Sequence, residues 1–345
     1  MSQKTPIGAL TPILLALAFC ACSSSNGSTN STEPTQEADN QSGTQNISNA
    51  LFTSRAGSCA AYANEYSSAV VDVQTGQAFS GALTISVAND ECTFITNAIP
   101  NHDFNDNGRF ATPVSAQNDR YTITANPTHA ASPTALVMGD DALFLNGVKL
   151  DLLAAACYGV GNEPLGREKI GCGPDQIDNP WRYDPMSPLN GFGTDDHNAH
   201  TQPDGTYHYH GNPMAMFTAD CASADSPSPV IGFAADGFPI FGSCIAEGGT
   251  VRTAISSYVL KDNGGPRQAV SGYTTPVAGQ GDIASGNYDG QFRGDYEFIA
   301  GAGDLDACNG MTVDGQYGYY ITDSYPWGIG CYSGTPDASF IPGRP

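Results

Sequence analysis

"TQPDGTYHYHGNP", residues 201–213, sets a Pro-Asp-Gly bend directly before two histidines and two tyrosines in strict alternation. Pro203 has φ fixed near -65°, which suits the second position of a type I turn and excludes a two-residue I′ turn. Asp204 suits the next position, and Gly205 the left-handed one that follows. The expected unit is a hairpin with a three-residue loop and a glycine bulge. In that register Gln202 faces Thr206, His200 faces His208, and Asn198 faces His210. Side chains alternate along a strand, and cross-strand partners share a face. His200, His208 and His210 therefore converge on one face, while Tyr207 and Tyr209 point into a core on the other. This alternation sets the expected fold class as β.

The rest of the chain agrees. It carries 40 Gly and 23 Pro, and short apolar runs alternate with turn residues. "GALTISVAND" (81–90), "RYTITANP" (120–127), "DALFLNGVKLD" (141–151), "PVIGFAADGFPIFGS" (229–243) and "YGYYITDSYPW" (317–327) read as strands between turns. "SCAAYANEYSSAVVDV" (58–73) has the pattern of a short helix, and "DLLAAACYGV" (151–160) fits either type. The expectation is one large, mostly β domain over 51–345, or two closely packed lobes, with long loops. "DGTYHYH" (204–210) lines up with "DGQYGYY" (314–320), a degenerate internal repeat that keeps the tyrosines and has imidazoles in one copy only.

Residues 1–21 read as a lipoprotein signal peptide: Lys4, an apolar core over 7–19, and "LAFCACSSSNGS" ending on small residues before Cys22, the candidate lipidation site. The alternative is an ordinary cleaved signal and a secreted product. Residues 22–50, rich in Ser, Thr, Asn and Gln, are expected to form a leash, because such a stretch buries too little to offset its chain entropy. These features place the body at the outer membrane, attached through its lipid alone. Eight cysteines remain once Cys20 and Cys22 are set aside, an even number in an exported chain. Short loops close most easily, so the expected pairs are Cys59–Cys92, Cys157–Cys172, Cys221–Cys244 and Cys308–Cys331.

The formal net charge of -22, from 35 acidic and 13 basic residues, argues against nucleic acid as a partner. Three neutral imidazoles on one face suit a divalent transition metal such as Zn or Cu. The alternative is a His/Tyr ladder that only packs. Asp195, Asn198 and Asp236 are candidates for orienting an imidazole or supplying a carboxylate. His197 is out of phase with the set and is expected to face away. His129 reads as a loop residue. Asp103, Asn105 and Asn107 in "DFNDNG" match the opening of a calcium loop, but Val114 occupies the closing acidic position. No G-x-S-x-G elbow, dinucleotide fingerprint or P-loop is present.

"HNAHTQPDGTYHYHGNP" (197–213), "IGFAADGFPIFGSC" (231–244) and "LDACNGMTVDGQYGYYITDSYPWGIGCYSG" (305–334) together resemble the YHYH-domain family of exported proteins. "IPNHDF" (99–104) and "LNGVKLD" (145–151) resemble that family's earlier segments, so the likeness spans 95–335. The family pattern falls on His102, Asn198, His200, Gly205, Tyr207, His208, Tyr209, His210, Asp236, Gly237, Pro239, Asn309 and Cys331. The resemblance implies a module and no reaction. Gly318 stands where relatives often have histidine. His102, sequence-distant yet within a motif, is the expected fourth ligand. Three functional classes follow, the first two being a metal-binding module of the envelope and a metal-dependent enzyme at the same site. A structural or adhesion domain without metal is the third.

Overall fold

The computed structural model describes residues 43–341. The expected signal peptide, the candidate lipidation site Cys22 and the expected linker as far as 42 lie outside them. The fold is mostly β, and the helical segments among the described residues are short 3-10 turns of three or four residues. No helix among the described residues is long and apolar enough to cross a membrane. All four disulfides have the expected pairing.

The first sheet has five strands, Gln45–Asn46 at one edge of a meander of Asn64–Asp72, Gln77–Ala88, Glu91–Thr96 and Asp119–Thr124. Leu83, Ile85, Phe94, Tyr121 and Ile123 alternate inward and are buried. The Asn89-Asp90 turn has both residues at positive φ, the geometry that matches strand twist in a two-residue hairpin. Two expectations are corrected here. The 58–73 segment is not helical beyond one turn at Cys59–Tyr62; Val70 and Asp72 then alternate into the core as part of a nine-residue strand. The leash does not extend to 50: Gln45–Asn46 pairs in parallel with Tyr66 and Ser67, and Ile47 is buried. Ile47, the one large aliphatic side chain in that stretch, docks the polar segment.

The second sheet has eight strands. In space they run Gly310–Val313, Gln316–Tyr320, Pro239–Phe241, Val230–Ala234, Ala142–Phe144, Lys149–Leu150, Tyr207–Tyr209, Ala199–Thr201. This order is the same read from either end, because the sheet is a duplicated four-strand module. Leu143 pairs with Phe233 at its centre. On either side Leu145 N donates to Ile231 O (2.8 Å) and Ala235 N to Asp141 O (3.0 Å). The Asn146-Gly147 turn of one half corresponds to the Asp236-Gly237 turn of the other, with φ of 84° and 86° at the glycines. In each half a second hairpin adds in parallel: Tyr209 beside Leu150, and Tyr319 beside Ile240.

The repeat is wider than its seven-residue sequence signal. Asp195 and Asp306 begin equivalent hairpins, and each accepts a tyrosine hydroxyl, from Tyr207 (2.8 Å) and Tyr317 (3.0 Å). Asn198 and Asn309 both take positive φ, and their carbonyls accept from His210 N and Tyr320 N. The halves differ at the turn, where Pro203 makes the first loop one residue longer. One continuous core runs through both sheets, with a small satellite around Trp181 and Phe292.

Candidate metal centre

The bend at 203–205 forms as its residues dictate. Gly205 N donates to Gln202 O (2.9 Å), Gln202 N to Thr206 O (2.9 Å), and Gly205 has φ 87°. Asp204 Oδ1 accepts from Thr206 N and Oγ1 at 3.0 and 2.7 Å, locking the turn. His200 then pairs with His208, and Tyr207 and Tyr209 are fully buried on the opposite face.

The three imidazoles meet tip to tip. His210 Nε2 is 3.0 Å from His200 Nε2 and 3.1 Å from His208 Nε2. His200 Nδ1 lies 2.7 Å from Phe192 O and His208 Nδ1 3.3 Å from Thr206 O. Donation to those carbonyls puts the proton on Nδ1 and leaves both Nε2 atoms as lone pairs. His210 Nδ1 is buried with no hydrogen bond of normal geometry. Burial, then the neighbouring imidazoles, pushes His208 and His210 well below the ordinary histidine range; burial lowers His200 too. All three are thus neutral ligands. A tetrahedral ion with bonds of about 2.1 Å would hold its nitrogens about 3.4 Å apart, close to the two spacings His210 makes, and all three ligand atoms lie within 4.8 Å of one another. These three residues could hold a metal ion.

The triad lies in the wall of a cleft of about 1120 Å³. Lys149, Asp151 and Gln202, which the sequence reading did not single out, share this wall. Lys149 Nζ contacts Asp140 Oδ1 at 2.9 Å and Gln202 Oε1 at 3.0 Å. Gln202 Nε2 donates to Asp151 Oδ2 at 3.1 Å. Burial, then the charge of Asp140, lifts the Asp151 carboxyl to about 7. The available signal was "VKLD", where charged residues alternate with apolar ones inside a strand.

The other candidates are placed elsewhere. His102 is not a fourth ligand: its Nε2 bonds the Tyr209 hydroxyl at 2.6 Å on the tyrosine face, and its ring stacks on His197. His197 also lies 3.3 Å from Asp106. Asp195 orients no imidazole; it takes the Tyr207 hydroxyl and the backbone of Asn105, His197 and Ala199. Asn198 acts through its backbone, and its side chain donates to Asn212 O. Asp236 sits in the other half, where it accepts from the Tyr319 hydroxyl and Gly334 N. The DFNDNG segment does not gather ligands: Asp103 accepts from Val71 N, while Asn105 and Asn107 donate to Asp72 and Asp196. Asn105 Oδ1 accepts from Gln74 Nε2 at 3.3 Å, and the three side chains serve separate partners rather than converging on one ion. His129 has a partner, Ser333 Oγ at 2.7 Å, and packs on Phe238 and Tyr317.

Neither the curated proteins nor the solved structures compared with the chain include a match. The family described as "YHYH protein" matches residues 120–334, which take in the duplicated sheet and the imidazole hairpin. By that match the chain belongs to the YHYH protein family.

Proposed function

We propose that His200, His208 and His210 hold one divalent transition-metal ion, zinc or copper, with a coordination position open to the cleft. The observation that carries this reading is that His210 Nε2 lies 3.0 and 3.1 Å from the Nε2 atoms of His200 and His208, while those two rings donate from Nδ1 to backbone carbonyls. Three protein ligands with a fourth position free is the arrangement of a catalytic centre rather than a closed structural one. The cleft and the Asp151 carboxyl favour a metal-dependent extracytoplasmic enzyme over a storage module. Four disulfides support an oxidising compartment. The sequence around Cys22 supports a lipid anchor at the cell envelope.

Elemental analysis of natively exported protein, purified without an affinity metal, tests the proposal. One equivalent of zinc or copper is expected in the wild type and none after changing all three histidines to alanine. Equal metal in both proteins, or none in either, would overturn it.

A further inference from the structure

The two halves of the eight-stranded sheet compare the chain with itself. On the face away from the cleft, equivalent positions keep a polar partner for each tyrosine hydroxyl, though in one pair the direction of the bond reverses. Asn146 donates to the Tyr209 hydroxyl, and Asp236 accepts from that of Tyr319. Asp195 and Asp306 hold the other tyrosines in the same way. On the cleft face the chemistry changes completely. The positions of His200, His208 and His210 hold Met311, Gly318 and Tyr320 in the second half. The positions of Lys149, Asp151 and Gln202 hold Pro239, Phe241 and Val313.

The second half builds the same strands in the same order, so this backbone folds without charge at those places. Burying the Lys149–Asp140 pair carries a desolvation cost that apolar packing avoids. Charged residues confined to the imidazole half therefore point to a ligand rather than to the fold. Their placement agrees. Parallel pairing puts Lys149 beside His208, and Asp151 follows at the next position on the same face, beside His210. An ammonium has three donors, and two of those on Lys149 are taken by Asp140 and Gln202. One donor, from Lys149, and one acceptor, from Asp151, thus border the triad.

We infer that Lys149, Gln202 and Asp151 are positioning residues for the ligand that fills the ion's open coordination place. This rests on the metal centre proposed above. The ligand class is a compact polar molecule with an anionic oxygen, shared by the ion and Lys149, and an adjacent N–H or O–H donor that Asp151 accepts. Gln202 fixes the Asp151 carboxylate in that orientation.

The test uses the full exported protein loaded with cobalt(II), with acetohydroxamate and its N-methyl analogue as probes followed in the visible spectrum. Both probes offer anionic oxygen, and only the first offers N–H. The wild type is expected to bind acetohydroxamate at least tenfold more tightly. In Asp151→Phe, which installs the residue of the other half, that preference falls to threefold or less with cobalt still at one equivalent. Asp151→Ala gives the same readout if the phenylalanine variant does not fold. Lys149→Met weakens both probes together. An unchanged preference in a fully loaded Asp151 variant overturns the inference and leaves the metal centre standing. Failure of the wild type to take up cobalt overturns both.

Discussion

The Nε2 atoms of His200 and His210 stand 3.0 Å apart, and His210 Nε2 has a second neighbour, His208, at 3.1 Å. A proton on His210 Nε2 points mainly at one of them, and it leaves Nδ1 a buried lone pair without a partner. An unsatisfied buried acceptor costs about 1–3 kcal/mol. A bound cation removes the conflict by moving the proton to Nδ1, where the backbone carbonyl of Asp151 is the neighbouring acceptor. Metal should therefore stabilise the fold, by about 2.7 kcal/mol at a hundredfold excess over Kd. Adding a chelator is expected to lower the thermal midpoint of the wild type and to leave His210→Ala unmoved. Equal shifts in the two proteins would contradict this.

Acid should destabilise the metal-free protein in a defined window. Burial holds His102 at about 3, and His200, His208 and His210 also lie below the ordinary histidine value. In the unfolded chain each titrates near about 6.5. Below that pH the unfolded chain binds more protons than the folded one, so this stability is complete above it and lost as pH falls. The slope approaches about 1.4 kcal/mol per pH unit for each such histidine. Chemical denaturation at pH 7.5 and pH 5 reads it. His102→Asn is expected to start less stable and to show a shallower loss; an identical pH dependence would contradict the assignment.

The two faces of the hairpin should separate by mutation. Tyr209→Phe removes the partner of His102 Nε2 and one of the two partners of Asn146 Nδ2, both residues buried. The expected cost is about 1–3 kcal/mol, with metal stoichiometry unchanged, as read by denaturant titration and elemental analysis of one preparation. Loss of metal together with stability would show that the faces are not independent.

Gly205→Ala tests the bend. With φ at 87°, a side chain there is strained, and its Cβ would press on Ser115 Oγ and Pro113 O. A loss of about 1–3 kcal/mol is expected, with weaker metal binding because His200 and His208 are joined through this turn. Unaltered affinity in a destabilised protein would mean that the triad is held without the bend.

Much of this was legible from residues because local rules decided it. Pro203, Asp204 and Gly205 fix the turn, the turn fixes the register, and the register brings His200, His208 and His210 together. The disulfide pairing followed from chain proximity. What stayed hidden depends on contacts between distant segments. His102 sits in a motif, yet which face it reaches is set by packing on His197 and Tyr209. Asp236 reads from sequence as a carboxylate that could serve the imidazoles, and only the folded sheet gives it Tyr319 of its own half as a partner. Lys149 and Asp151 join the site only because their strand adds in parallel to 207–209, a pairing across a long stretch of chain. The duplication was visible over seven residues, whereas its hydrogen bonds extend to Asp195 and Asp306 through residues that diverge in type.

Anomalous scattering from crystals of the natively metallated protein, recorded at the zinc and copper edges, tests the central claim most directly. The account predicts one strong peak, about 2.1 Å from each Nε2 of His200, His208 and His210, with its remaining coordination position facing the cleft. A fully ordered triad with no peak between the rings, or a metal ligated elsewhere on the chain, would contradict it.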